Sequence, residues 1–216
     1  MTLAEKLQAK YMELAPMVPG FVQQMMKTAD DALAAGGLTE RAKTVGDAAP
    51  EFALPDHEGN TVTLAGLLAA GPVVLSFYRG GWCPFCSLEL RALQEALGEI
   101  RAAGGQLVAV SPELPEKAAV TAMRHEIEFP VLSDAGNAVA KQFGLVYALD
   151  PNLRPLYRQI GADLPAYNGE ETWEIPVPAT YVIETGGVIR FAYVNTDYKQ
   201  RAEPADVVAA LKALAG

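Results

Sequence analysis

Hydrophobic positions in the first 44 residues recur with a helical period. Thr2 and Glu5 have the spacing of a capping box, in which each side chain satisfies a free backbone donor at a helix start. Pro16 and Pro19 interrupt the pattern that follows, because proline lacks the backbone donor that a helix needs. The first helix is therefore predicted from an apolar stripe of Leu3, Leu7, Tyr11 and Leu14.

A second apolar stripe follows and stops at Gly36 and Gly37, where glycine favours the left-handed end of a helix. Such a stripe, even with methionines in it, more often packs on its own domain or on a twin subunit than on a foreign partner. We therefore predict that residues 1–44 form a helical N-terminal extension, and a homodimer through these helices is compatible with the pattern. The stripe consists of Val18, Phe21, Val22, Met25, Met26, Ala29 and Leu33.

From residue 45 onward, β-prone and helical segments alternate. The continuous run of β-prone residues at 73–78 predicts a strand buried on both faces. Gly186-Gly187 is a strong hairpin signal. Residues 149–178 are proline-rich with little periodicity and are expected to wrap the surface as an irregular stretch. The alternation predicts an α/β fold, a sheet with helices on its faces and an antiparallel hairpin near the end. Strands are predicted at 52–54, 61–64, 73–78, 107–110, 131–132, 180–183 and 188–194, and helices at 88–103, 115–125, 137–143 and 203–214.

Composition narrows the class of protein. Half of the 216 residues are hydrophobic and 20% are charged, which is ordinary for a globular chain. No apolar run is long enough to cross a bilayer and no secretion signal opens the chain, so we expect no membrane partner and a cytoplasmic location. The net charge of −9 repels phosphate backbones, which argues against nucleic acid as a partner.

The two cysteines carry the informative chemistry. Two glycines follow the buried strand, and a helix is predicted to begin at Cys83 and Pro84, where a missing proline donor costs nothing. A sulfur at a helix N-terminus faces unpaired N–H groups that stabilise a thiolate, so the pKa of Cys83 should fall. Cys86 lies one turn further on, near enough to close a disulfide.

Two other interpretations of the cysteine pair are weaker. Zinc needs further ligands, but there is no second cysteine pair, and His57 and His125 are isolated and receive no role. An inert core pair does not explain the ordered strand, Gly-Gly, Cys-Pro-x-Cys and helix. No phosphate-binding glycine loop is present, so neither a cofactor nor a metal is expected.

The same residues resemble known families. The segment Trp82-Cys83-Pro84-Phe85-Cys86 after a buried strand resembles the thioredoxin superfamily, and its Pro-Phe insert resembles glutaredoxins. Residues 46–54, 129–134, 139–140 and 143–144 are similar to motifs of peroxiredoxins of the alkyl hydroperoxide reductase/thiol-specific antioxidant type. The resemblance covers residues 45–216. It implies a thioredoxin-like fold, a central mixed sheet flanked by helices, in a thiol redox domain.

The peroxiredoxin motif matches this chain only in part. Cys86 matches the cysteine that attacks peroxide in the family, and Glu89 matches a glutamate common three positions later. Arg79 replaces the motif's proline, and Cys83 replaces its threonine. The family's supporting arginine is expected before a later strand, but residues 177–181 contain none, and Pro178 there resembles the cis-proline of thioredoxins.

Neighbouring residues have two interpretations each. Arg79 either stabilises a thiolate and polarises a peroxide O–O bond, or is a solvated loop residue. Glu89 either forms an ion pair or a proton route near Cys86, or is only an acidic residue in the first helical turn, where the helix dipole stabilises negative charge. Trp82 either is a hydrophobic shield and contact surface beside Cys83, which the superfamily resemblance favours, or only packs within the loop. Arg154 and Arg158 of the irregular stretch are candidates to reach the site.

The leading prediction is a thiol-dependent peroxidase. Cys86 attacks a hydroperoxide and becomes a sulfenic acid, Cys83 condenses with it, and a thioredoxin- or glutathione-type thiol reduces the disulfide. The alternative is a dithiol–disulfide oxidoreductase in which Cys83 attacks a disulfide, as Trp82 and Pro178 favour. A non-catalytic interaction module that uses residues 1–44 is a third hypothesis, against which the intact cysteine pair argues.

Overall fold

The fold was analysed in a computed structural model that describes residues 1–214. Its helices are α1 (Leu3–Leu14), α2 (Gly20–Ala35), α3 (Leu38–Arg41), α4 (Leu64–Ala70), α5 (Pro84–Glu95), α6 (Leu97–Ala102), α7 (Pro115–Arg124), α8 (Ala138–Gln142), α9 (Arg154–Gln159), α10 (Leu164–Asn168) and α11 (Pro204–Leu214). Its strands are β1 (Ala53–Pro55), β2 (Thr61–Thr63), β3 (Val73–Phe77), β4 (Gln106–Ser111), β5 (Val131–Ser133), β6 (Val146–Ala148), β7 (Glu174–Pro176), β8 (Ala179–Ile183) and β9 (Ile189–Val194).

A five-stranded mixed sheet with the order β5-β4-β3-β8-β9 forms the centre of the fold. Strands β3, β4 and β5 are parallel, whereas β8 runs antiparallel to both β3 and β9. The predicted hairpin between β8 and β9 is present, with Gly187 at a φ of +81° in its turn. The predicted α/β, thioredoxin-like architecture is therefore confirmed.

Alternate residues of β3 enter two apolar cores on opposite faces of the sheet. Val74 packs in the first core with α5 and α11, whereas Val73, Leu75 and Phe77 pack in the second with α4 and α8. Successive strand side chains point to opposite faces, so a strand covered on both sides needs apolar residues at every position. This is why β3 is apolar at four of its five positions, with the buried Ser76 as the exception.

The N-terminal helix α1 packs into the first core. Its Thr2 and Glu5 form the predicted capping box, and Leu3 and Leu7 are buried among residues of α5 and α11. The carboxylate of Glu203 accepts hydrogen bonds from the next free donors, the backbone N–H groups of Leu3 at 3.0 Å and Ala4 at 2.7 Å. Two side-chain carboxylates thus accept hydrogen bonds from backbone N–H groups at the start of this helix: that of Glu5, which is local, and that of Glu203, which is distant in sequence.

The second helix deviates from its predicted stripe. Met25, Met26 and Ala29 pack against a third apolar cluster, but Phe21 is 71% exposed. Gly37 takes the left-handed conformation at φ +65° and is followed by the unpredicted short helix α3, whose Leu38 is buried in the second core. Residues 1–44 therefore contribute to all three cores, while their division from residue 45 onward as a separate unit stays a prediction.

The stretch 149–178 is more ordered than predicted. It contains α9, α10 and β7, which pairs antiparallel with β6. These elements are three to six residues long, too short to show a period in the sequence. They surround the third apolar cluster, which consists of Leu149, Leu153, Tyr157, Ala162, Leu164, Trp173 and Ile175.

Two further observations concern the peptide bond that precedes Pro178 and the search for a membrane-spanning helix. Within residues 1–214 no peptide bond is cis, so the expectation that Pro178 resembles a cis-proline is wrong. Pro178 is buried and directly precedes β8, whose Ala179 pairs with Phe77 at the end of β3. No helix of the described chain is both long and apolar enough to cross a membrane.

Candidate active site

The loop between β3 and α5 is held in place by close packing and by a buried carboxylate. A Cβ atom on Gly80, whose φ is +146°, would overlap the Trp82 indole, and one on Gly81 would overlap the Thr121 hydroxyl. The Glu113 carboxylate accepts hydrogen bonds from the Gly81 N–H at 2.9 Å and the Tyr78 hydroxyl at 3.1 Å. The sequence showed the glycines, but Glu113 lies on a different loop and no motif marked it.

The cysteine pair occupies the first turn of α5, as predicted. Cys83 is the N-cap residue, Pro84 is the first helical residue, and the Cys83 carbonyl accepts from the Ser87 N–H at 3.1 Å. Both cysteines are free thiols and both side chains are buried. The N-cap position exposes Cys83 to the unpaired N–H groups of the helix start.

Arg79 contacts the Cys83 sulfur and is fully buried. Its Nη1 lies 4.0 Å from Cys83 Sγ, and its Nη2 donates to the Tyr157 hydroxyl at 2.6 Å. The guanidinium also lies over the rings of Tyr198 at 4.3 Å and Trp82 at 4.9 Å, in cation–π geometry. The interpretation of Arg79 as a solvated loop residue is therefore wrong.

Arg201 contacts the other sulfur. Its Nη2 lies 3.3 Å from Cys86 Sγ, and its Nε donates to the Glu89 carboxylate at 2.6 Å. Both charged side chains of this ion pair are buried, and Thr180 also donates to Glu89 at 3.5 Å. The family motif places its supporting arginine at the position of residues 177–181, which contain none in this chain. Arg201 instead reaches the site from the loop that precedes α11, and no local motif indicated it.

Comparison with known proteins identifies the family. The sequence model of the AhpC/TSA family matches residues 45–192. The chain belongs to this family.

Individual AhpC/TSA-type relatives agree with this assignment. A peroxiredoxin-type protein of Mycobacterium tuberculosis strain H37Rv is 38% identical over 116 residues, 52% of this chain and 73% of the relative. Chloroplastic peroxiredoxin Q of Sedum lineare is 28% identical over 152 residues, 70% of this chain and 69% of the relative. The predicted peroxiredoxin-like character of the chain is confirmed.

Solved structures support the same conclusion. The crystal structure of peroxidoxin BcpB from Mycobacterium tuberculosis superposes with a TM-score of 0.62 at 26% identity, covering 79% of this chain and 97% of that one. A cysteine-to-serine mutant of PrxQ from Xylella fastidiosa has the same TM-score of 0.62 at 17% identity, covering 80% and 97%. At that identity the second comparison shows the fold alone. The first 44 residues of the chain precede the family match.

Within this AhpC/TSA frame, the two thiols differ in acidity. Burial by itself raises the pKa of Cys83, but the hydrogen bond from the Cys86 thiol, the charges of Arg79 and Arg201 and the Cys86 backbone N–H outweigh it and lower the pKa to about 5. Burial and the neighbouring Cys83 thiolate raise the pKa of Cys86. Burial likewise raises the pKa of Glu89 to about 7, against the charge of Arg201. These influences favour a thiolate on Cys83 over one on Cys86.

The remaining predicted site residues have defined positions in this AhpC/TSA protein. Trp82 packs edge-on against Tyr157 with ring centroids 5.6 Å apart and thereby covers Arg79 rather than only the loop. Arg154 and Arg158 lie over the Trp173 ring at 5.6 and 4.9 Å, so the expectation that they reach the cysteines is wrong. Within residues 1–214 no group of three or more potential metal-ligating side chains occurs.

Proposed function

We propose that this AhpC/TSA member is a thiol peroxidase in which Cys83 is the attacking thiolate and Cys86 the resolving thiol. The observation that carries the assignment is the environment of Arg79, a buried guanidinium whose hydrogen-bond partners are the Cys83 sulfur and the Tyr157 hydroxyl. Neither partner is a carboxylate. Because an unpaired buried cation is costly, a thiolate on Cys83 is its natural counter-ion.

The chemistry proceeds in two steps. The Cys83 thiolate attacks one peroxide oxygen, so an S–O bond forms, the O–O bond breaks, and sulfur loses two electrons to the leaving alkoxide or hydroxide. That leaving group takes a proton from water and departs as an alcohol or as water. The Cys86 thiol then attacks the Cys83 sulfenic acid, which forms the disulfide and releases water.

The ion pair beside Cys86 supports the second step. Arg201 lies 3.3 Å from the Cys86 sulfur and stabilises negative charge there as the thiol loses its proton. The pKa of Glu89 at about 7, raised by burial, suits a group that exchanges a proton near neutral pH. An external thioredoxin- or glutathione-type thiol then reduces the disulfide, which fits a reducing compartment such as the cytoplasm.

Two competing assignments remain to be tested. Attack by Cys86 first, which the family resemblance predicts, is favoured by the Arg201 contact but disfavoured by the raised pKa of Cys86. Protein disulfide exchange at Cys83 requires this sulfur, whose residue is only 1% exposed, to become accessible to a protein in the oxidising step as well as in the reducing step. A small peroxide needs far less space than a protein disulfide does.

Single cysteine variants test the order. Reduced Cys83→Ser should lose the fast reaction with stoichiometric hydrogen peroxide, followed by stopped-flow measurement of thiol loss. Cys86→Ser should keep the fast first step but accumulate a sulfenic acid that a dimedone-type probe traps. Fast peroxide consumption by Cys83→Ser would assign the attack to Cys86. Rates no faster than free cysteine in the wild type would overturn the peroxidase itself.

A homodimer through the N-terminal helices stays a prediction. Met17 and Phe21 are 74% and 71% exposed, which leaves apolar surface on these helices for a second copy. Light scattering during size-exclusion chromatography measures the particle mass, and a shift from dimer to monomer in a Phe21→Ser variant would support the contact. A monomeric wild-type chain would overturn it.

A further inference from the structure

A pocket of about 270 Å³ opens beside Arg79, between α2 and the loops that follow β6 and β9. Apolar residues of α2 form one wall and aromatic residues form the other. The main contributors are Met26, Ala29 and Leu33 from α2, with Tyr147, Tyr157 and Tyr198 opposite them.

Arg79 belongs both to this pocket and to the cysteine site. Its guanidinium contacts Cys83 Sγ through Nη1, and its Nη2 donates to Tyr157, one of the pocket-lining tyrosines. The Nε atom of this buried side chain has no hydrogen-bond partner. A ligand oxygen that replaces the Tyr157 hydroxyl on Nη2 would lie on the same guanidinium edge that contacts the sulfur.

The size and lining of the pocket indicate an organic ligand. Its 270 Å³ is several times the roughly 30 Å³ that a water molecule occupies in the liquid, so hydrogen peroxide would leave most of it empty. Apolar side chains and tyrosine rings favour an apolar or aromatic group. The lining holds two carboxylates, Asp30 and Asp150, against the one cation Arg79, and so does not favour a negatively charged substituent.

We propose that this pocket binds the organic substituent of the oxidant, and that α2 sets which hydroperoxides the enzyme prefers. The favoured substituent is uncharged and aromatic or branched, of the size of cumene hydroperoxide, with its peroxide group against Arg79. The α2 wall precedes the family match at residues 45–192, so selectivity comes from outside the shared redox domain. The inference rests on the proposed peroxidase function and adds to it residues of α2 that determine specificity among organic hydroperoxides.

Neither sulfur lines the pocket, and Arg79 joins the pocket to Cys83, so the proposed orientation requires the ligand to displace the Tyr157 hydroxyl from Nη2. The substituent lies between α2 and the tyrosines, and the O–O bond lies along the guanidinium edge, next to Cys83. The thiolate attacks the terminal oxygen, the O–O bond breaks, and the organic alkoxide takes a proton from water and leaves as the alcohol. Arg79 stabilises the charge that develops on the oxygens.

The experiment compares two oxidants in three proteins. Second-order rate constants for hydrogen peroxide and cumene hydroperoxide are measured in the wild type, in Ala29→Phe, and in the matched control Ala34→Phe. Ala29 lines the pocket, whereas Ala34 is exposed on the same helix. A third oxidant, cumene hydroperoxide with a ring carboxylate, tests the charge preference.

We expect the wild type to prefer cumene hydroperoxide over hydrogen peroxide and over the carboxylated form. Filling the pocket in Ala29→Phe should lower the ratio of the cumene to the hydrogen peroxide rate by about tenfold or more, the scale of steric discrimination in apolar pockets. Ala34→Phe should leave the ratio unchanged. The ratio is an internal control for folding, because unfolded protein lowers both rates together.

The outcomes separate the two claims. If the wild type reacts fast with both oxidants and Ala29→Phe leaves their ratio unchanged, the pocket inference falls and the peroxidase function stands. If neither oxidant reacts faster than with free cysteine, the proposed function falls and the pocket inference falls with it.

Discussion

At the scale of single residues, the two cysteines differ because their arginines differ. Arg79 has no carboxylate among its hydrogen-bond partners, and its charge favours both the thiolate of Cys83 and the carboxylate of Asp30 in the adjoining pocket. Arg201 shares its charge with Glu89 at 2.6 Å, so less of it acts on Cys86. Together with the N-cap position, this difference lowers the pKa of Cys83 relative to that of Cys86 and so favours negative charge on Cys83.

Replacing Arg79 tests this assignment by titration. The pKa of Cys83 is lowered to about 5, so the thiolate and the peroxide rate should persist from pH 7 to about pH 6 and fall below about pH 5. Arg79→Met removes the positive charge and should raise that pKa. At pH 6 the rate then falls about tenfold for each unit by which the pKa exceeds 6.

Thiolate absorbance at 240 nm against pH gives the midpoint directly. The control is Arg190→Met, which removes a surface arginine paired with Glu184 on the hairpin and should leave the midpoint unchanged. An unaltered midpoint in Arg79→Met would contradict the role of Arg79 as the counter-ion.

At the scale of elements, the strand–loop–helix unit was predictable and its supports were not. The continuous β-prone run of β3, the two glycines and the Cys-Pro start of α5 are local signals, and each predicts its own backbone geometry. Glu113 and Arg201 are held against the unit by the tertiary fold, and nothing in their local sequence distinguishes them from surface charges. For that reason the sequence identified the sulfurs and the nearby Arg79 and Glu89, but not Glu113 or Arg201.

Gly81 shows how tightly this unit is packed. A Cβ in Gly81→Ala would overlap the Thr121 hydroxyl, which itself donates to Glu113 at 3.4 Å. We expect Gly81→Ala to lower the free energy of unfolding by about 1–3 kcal/mol, the usual cost of overpacking. Urea denaturation measures this change.

The control is Gly98→Ala in α6. A Cβ there meets no atom within 4 Å, and alanine is the better helix former, so stability should rise by about 0.5–1 kcal/mol. If Gly81→Ala instead left the free energy of unfolding as high as Gly98→Ala does, the loop would have room to adjust.

At the scale of the whole molecule, the cores and the pocket join segments far apart in sequence. Helix periodicity predicted α1 and α2, but it did not reveal that α2 faces Tyr147 and Tyr198, because such contacts depend on the complete fold. The short elements between 149 and 178 escaped prediction for a related reason. Their order comes from packing around Trp173 rather than from local preference.

The N-terminal helices should therefore be structural as well as functional. Leu7 of α1 is buried in the first core, whereas Met12 on the same helix is 62% exposed. Leu7→Ala should destabilise the whole chain by about 2–5 kcal/mol, because it leaves a cavity in a shared core. Met12→Ala should change stability by less than about 0.5 kcal/mol. Thermal unfolding of both variants checks this, and an unaffected Leu7→Ala would show that α1 is a detachable appendage.

The burial of both sulfurs has a consequence for the timing of the catalytic cycle. Cys83 is 1% exposed and Cys86 is not exposed at all, so a protein reductant touches the disulfide only when the first turn of α5 opens. Oxidation by a small molecule needs a much smaller excursion. We therefore expect oxidation by a small peroxide to need little movement, and reduction by a protein thiol to need local unfolding of that turn. With a protein reductant and sustained peroxide, the opening rate of this single turn is then expected to limit turnover.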